Sequence, residues 1–244
     1  MGQTKIPKSS VHEAQESKHN ALHRLRIGVS TCHPLNLIEM LRTVEMRLYK
    51  NLVVEIVTAY SFELMADLQH HDLDFVIVTS PPSSALITSL RFATNPFMIV
   101  VRQGHPLAGK ASLRLHELGP YPWVFFNRNI HHHMHDLILQ RTRAECETAG
   151  ISHSVSQEEH AVALLTDNRL LAWLTPAGAE RAAHSGLNSI PLEDSQIRLE
   201  MHIATLANNN SPLVSEYVRT FMKRIEEQRP PLQLQLPIEM KGDN

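Results

Sequence analysis

Between Leu25 and Val78 short apolar runs alternate with amphipathic stretches, and this alternation narrows the available folds more than any other feature of the chain. Leu25–Val29 (LRIGV) reads as a strand and Ser30–Pro34 as a loop. Leu35–Lys50 reads as a helix, because Leu37, Ile38, Leu41, Val44 and Leu48 recur at helical spacing. Leu52–Ala59 is a second strand rich in β-branched residues. Ser61 is placed to cap a helix over Phe62–His70. Leu73–Val78 (LDFVIV) is a third strand without alternation, as expected where both faces of a sheet are covered. Strands and helices in this order, with short connections, predict a parallel sheet covered by helices.

The rest of the chain continues the pattern. Strands are expected at Leu86–Ala93, Phe97–Val101, Trp123–Phe126, His153–Val155, Leu170–Leu174, Leu187–Pro191 and Arg198–Ala207, the last returning to the first lobe. Helices are expected from Ile130 to Ala149, over Glu158–Thr166, from Pro176, and from Pro212 to Gln228. The result is two α/β lobes joined by two crossing strands. Ligands of open α/β sheets bind beyond the carboxyl ends of the strands, and domain junctions are frequent pocket sites. The candidate contacts are therefore the loops Ser30–His33, Thr79–Ser83, Asn127–Asn129 and Leu174–Pro176.

Composition excludes several functions. A net charge of −2 gives no basic face for nucleic acid. No apolar run approaches the roughly 18 residues of a membrane span, and the polar stretch before residue 24 has no secretory core. The two cysteines, Cys32 and Cys146, read as reduced thiols of a cytoplasmic protein. Residues 1–23 are expected to be a disordered arm or the remnant of a linker, and residues 231–244 an extended tail.

The stretch Phe97–Phe126 carries a family resemblance. An apolar strand breaks at Gly104-His105-Pro106, Leu113–Leu118 forms a short amphipathic segment, Gly119-Pro120 stops it, and a second apolar strand follows. This order resembles the start of the second lobe in the effector-binding domain of LysR-type transcriptional regulators, and the elements on both sides extend the resemblance over Leu25–Gln228. The resemblance implies two Rossmann-like lobes joined by two crossover strands, the type 2 periplasmic-binding-protein-like fold. Lobe I would comprise residues 24–95 and 206–230, and lobe II residues 96–205. It also implies a sensor of a small effector that works as a homodimer or higher homo-oligomer, without a cofactor. DNA would be read only through a winged helix-turn-helix, for which the residues before the first strand are too few. The chain is therefore expected to be either the regulatory half of such a regulator or a stand-alone product. A stand-alone product would act by hetero-oligomerisation with full-length relatives.

Residue chemistry gives the site a character. Ser30 and Thr31, between a strand and a helix, suit a carboxylate or phosphate or else simple capping; the resemblance places the same loop at the effector. Arg128, flanked by Asn127 and Asn129, is suited to gripping a carboxylate. With Cys32, Thr79, Ser80 and Thr175 these residues form the expected contact set, and the expected ligand is a small anionic metabolite. Ala172–Pro176 resembles the family's strand end, but the turn before it, Thr166–Arg169, lacks the usual glycine. Trp173 reads as core. His131 and His135 stand at metal-binding spacing, yet no carboxylate or thiol is placed to complete a site, so they read as part of a solvated helix face. No nucleophile elbow, glycine-rich phosphate loop or metal motif is present, and an enzyme is not expected.

Overall fold

The structure is a computed structural model that describes residues 22–34, 36–79, 81, 83–146 and 150–228. The expected arm and tail, Ser80 and the end of the Ile130–Ala149 helix lie outside the described residues.

Two five-stranded mixed sheets organise the chain. The first has the order β2-β1-β3-β10-β4, built from β1 (His23–Ser30), β2 (Leu52–Ala59), β3 (Phe75–Thr79), β4 (Ile87–Pro96) and β10 (Arg198–Leu206). The second has the order β7-β6-β8-β5-β9, from β5 (Met98–Arg102), β6 (Pro122–Phe126), β7 (Gly150–Val155), β8 (Leu171–Leu174) and β9 (Leu187–Pro191). β1 runs parallel to β2 and β3, and β6 runs parallel to β7 and β8. β4 and β10 pair antiparallel along their length. The two crossings lie side by side, held where the Leu192 N–H donates to the Phe97 carbonyl at 3.0 Å.

Six α-helices among the described residues cover the sheets: α1 (Leu37–Arg42), α2 (Ser61–Gln69), α3 (His132–Glu145), α4 (Glu158–Leu164), α5 (Pro176–Ala183) and α6 (Pro212–Gln228). All five residues of β3 are buried, as its unbroken apolar run predicts for a central strand. In the first lobe, α1 and α6 pack over Leu25, Ile27, Phe75 and Ile77, while α2 covers Val76 and Val78 on the other face. α2 lies so close to β1 that a Cβ on Gly28 would come 2.7 Å from Leu73 and 2.8 Å from Leu64, which is why a glycine occurs mid-strand.

Two local readings need correction, and one departure from the family pattern is explained. The helix expected over Leu35–Lys50 stops at Arg42. Thr43 turns its hydroxyl back onto the Glu39 carbonyl (2.7 Å) and a tight turn brings Met46 into the core. Ser61 is not a cap; Tyr60 occupies that position, with its N–H donating to the Glu63 carboxylate at 3.0 Å. Thr166–Arg169 turns without a glycine because the Asp167 side chain accepts the Arg169 N–H (2.9 Å), so no left-handed residue is required. The His-Pro-Leu turn is held by a buried histidine: His105 Nδ1 accepts the Leu107 N–H at 3.0 Å, and its ring packs on Tyr121 at 4.5 Å.

Candidate functional site

Between the lobes, at the carboxyl ends of β1, β6, β7 and β8, lies a cavity of about 570 Å³, within the range of small-molecule pockets. Lobe I contributes Thr31, Cys32, Thr58 and Tyr60, and lobe II contributes Phe126, His131, Ser156–Glu159, Trp173–Thr175 and Arg181. Phe97 stacks on Phe126 (5.9 Å, 10° between planes) and meets Trp173 edge-on at 6.1 Å, making one continuous aromatic wall. The Tyr60 hydroxyl donates to the Ser156 carbonyl at 3.2 Å, tying one lobe to the other across the opening.

Of the expected contact residues, Thr31, Cys32 and Thr175 line this cavity. Ser30 and Thr79 lie buried behind it with their hydroxyls committed to each other through Ser61. Ser61 Oγ bonds Ser30 Oγ and Thr79 Oγ1, each at 3.1 Å, and accepts the Thr79 N–H at 3.2 Å. Ser61, read as a helix cap, is instead the tie between two loop ends. Burial, followed by the charge of nearby Glu158, pushes the Cys32 thiol up to about 12, so it stays protonated and unreactive.

Asn127, Arg128 and Asn129 are not among the cavity-lining residues. Arg128 is exposed and holds Asp136 through two hydrogen bonds of 2.8 and 2.7 Å. Asn127 accepts the Asn129 N–H at 3.1 Å, a local turn that leads into α3. The expectation fails at Arg128 because an acidic residue stands one helical turn into α3, and the fork geometry that suits arginine to a ligand carboxylate suits Asp136 equally.

The histidine cluster divides by burial. His131 caps α3, its Nδ1 accepting the Met134 N–H at 3.3 Å, and its Nε2 is buried without a protein partner. His135 packs on Phe125 at 5.0 Å, while His132 and His133 are exposed. Burial, with the neighbouring His133 and His132, lowers the His131 pKa to about 4, so the ring is neutral at pH 7. Trp173 is 2% exposed, and its indole N–H also has no protein partner. Among the described residues no cluster of three His, Cys, Asp or Glu side chains is arranged to hold a metal.

Glu158 and Arg181 are the residues that reading the sequence missed. Glu158 accepts the Thr175 N–H at 2.6 Å and the Arg181 guanidinium at 2.7 Å, and burial raises its pKa. Arg181 also reaches Glu159 at 3.4 Å. Tyr60, Ser156 and Gln157 also line the cavity, and for these a signal was present: β2 and β7 are parallel strands too, and the rule that selects loops at carboxyl ends includes all three when applied to them.

A family model described as the LysR substrate binding domain matches residues 19–228. The chain belongs to this family. Members of the LysR substrate-binding family are regulatory sensors rather than enzymes. The Synechocystis PCC6803 CcmR regulatory domain in complex with 2-PG superposes with a TM-score of 0.70 at 18% identity, over 84% of this chain and 99% of that one. The effector-binding domain of QuiR in complex with shikimate gives 0.69 at 15%, over 86% and 100%. Full-length CbnR with its target DNA gives 0.68 at 12%, over 89% and 73%. At these identities the likeness establishes the fold, which is the type 2 periplasmic-binding-protein-like fold of LysR regulatory domains. No individual curated protein matches the chain. No helix among the described residues is long and apolar enough to cross a membrane.

Proposed function

We propose that this chain is the effector-sensing part of a LysR-type transcriptional regulator. A small molecule enters between the lobes and shifts how copies of the chain are arranged, by its greater affinity for one arrangement. The interlobe cavity of about 570 Å³ carries this reading, since its walls come from both lobes and any occupant couples their positions. Thr31, Cys32 and Thr175 are the proposed contacts from the expected set, joined by Trp173 and Phe126. Self-association is supported by the edge strand β2, whose Val53 and Val57 are 41% and 46% exposed. DNA contact belongs to a winged helix-turn-helix acting with this domain in the cytoplasm, not to the cleft.

The anionic ligand expected from Arg128 has little support in the cavity, where the arginine present is already paired. A thermal-shift screen of metabolites tests the sensor reading, since saturation a hundredfold above Kd stabilises by about 2.7 kcal/mol. Cys32→Trp, which fills the cavity, is expected to abolish the shift of any hit. A hit that stabilises the wild type and this variant equally would place binding elsewhere and refute the reading.

A further inference from the structure

The cavity has a resident anion. One oxygen of Glu158 accepts the Thr175 N–H at the start of α5, and the other takes the Arg181 guanidinium. The carboxylate lies against the first turn of that helix so closely that a Cβ built on Gly178 would overlap it. A helix N-terminus facing a cleft, with an arginine beside it, is where an incoming carboxylate or phosphate would be held. Here the protein has filled that position itself. Glu159 adds a second carboxylate on Arg181 at 3.4 Å. With His131 neutral, the described lining therefore carries two carboxylates against one guanidinium.

The remaining lining asks for something different. Phe97, Phe126 and Trp173 give a flat apolar wall, and two of the lining residues each carry a buried N–H group, Trp173 Nε1 and His131 Nε2, that has no protein acceptor. Because His131 Nδ1 accepts the Met134 N–H, the ring hydrogen is on Nε2, and both groups are donors. A buried donor without an acceptor is unfavourable, and a ligand acceptor would relieve it once a small ring movement brings the donor to the cavity surface.

We propose that the cleft selects an uncharged, flat ligand bearing a hydrogen-bond acceptor, and that Glu158 sets this selection by standing where a ligand's anionic group would stand. This rests on the sensor reading above and names the ligand class for the same site. The test uses benzamide, benzoate and benzylamine as matched neutral, anionic and cationic probes, with Kd measured by ligand-observed NMR titration on the full chain. Benzamide is expected to bind the wild type at least about tenfold more tightly than benzoate, because a second carboxylate placed beside Glu158 is repelled by it. Glu158→Gln, which keeps an acceptor for the Thr175 N–H but leaves Arg181 paired with the exposed Glu159 alone, is expected to shift the ratio toward benzoate by a similar factor. Arg181→Gln, which leaves Glu158 in place, is expected to keep benzoate excluded, and it serves should the first variant fold poorly. Preference of the wild type for benzoate or benzylamine, or an unchanged ratio in Glu158→Gln, would overturn the charge assignment while leaving the cleft as the binding site. Absence of binding by all three probes to every variant would overturn the cleft reading itself.

Discussion

Thr175 has two possible roles, and its substitution separates them. It lines the cavity, and its hydroxyl accepts the Gly178 N–H at 3.1 Å as the N-cap of α5. Both residues are buried, so water cannot replace a lost cap. Thr175→Val keeps the shape and removes the acceptor. Losing an N-cap costs about 1 kcal/mol in ordinary settings, and stranding a buried N–H costs about 1–3 kcal/mol. Gly178 N–H sits in the second situation, so a loss of about 2 kcal/mol is expected. Thr175→Ser keeps the oxygen and loses one methyl, which is worth about 0.8 kcal/mol of buried apolar area. Urea denaturation followed by tryptophan fluorescence reads both variants, with m expected unchanged. If Thr175→Val unfolds at the wild-type midpoint, the hydroxyl is not committed to the helix and is free for a ligand. That result would refute the assignment of Thr175 as a structural cap.

Other outcomes follow from single contacts. Tyr217→Phe removes a buried hydroxyl that donates to the Leu41 carbonyl, but that carbonyl keeps the Val44 N–H at 3.2 Å, so the cost is expected near 1 kcal/mol; in a thermal melt this is about 2–4 °C. Cys32 in the native protein is expected to resist a thiol reagent at pH 8 and to react on unfolding, since burial holds its thiol near 12; rapid native labelling in a Cys146→Ser background would refute this. His131, held neutral down to about pH 4 against an ordinary 6.5, binds its proton more readily in the unfolded chain. Stability is therefore expected to fall as pH drops from 6.5 toward 4, by up to about 1.4 kcal/mol per pH unit. Asn at this position keeps a cap acceptor and should flatten the slope, which chemical denaturation across that range will measure.

The alternation of apolar runs and amphipathic stretches was sufficient to predict two α/β lobes, because strand and helix periods are properties of local sequence. β3 announces its central place by an unbroken apolar run, and the Phe97–Phe126 stretch is legible because its turn, short helix and strand lie within one segment. Segment ends were less legible. α1 stops at Arg42 because of a side-chain bond from Thr43 that apolar spacing does not encode.

The site divides in the same way. That a cleft exists at the carboxyl ends of the strands follows from topology, and topology follows from element order. Which side chains face it does not. Ser30, Thr79 and Ser61 read as separate capping or ligand residues, and only folding, which brings β1, β3 and α2 together, commits their hydroxyls to one another. Arg128 looks available until α3 presents Asp136 to it. Glu158 and Arg181, 23 positions apart, become a half-buried pair only when α4 and α5 pack side by side. Local patterning is enough to give the lobes and the place between them; the charge of that place comes only from packing, because pairing of charges and burial of donors depend on residues far apart in the chain.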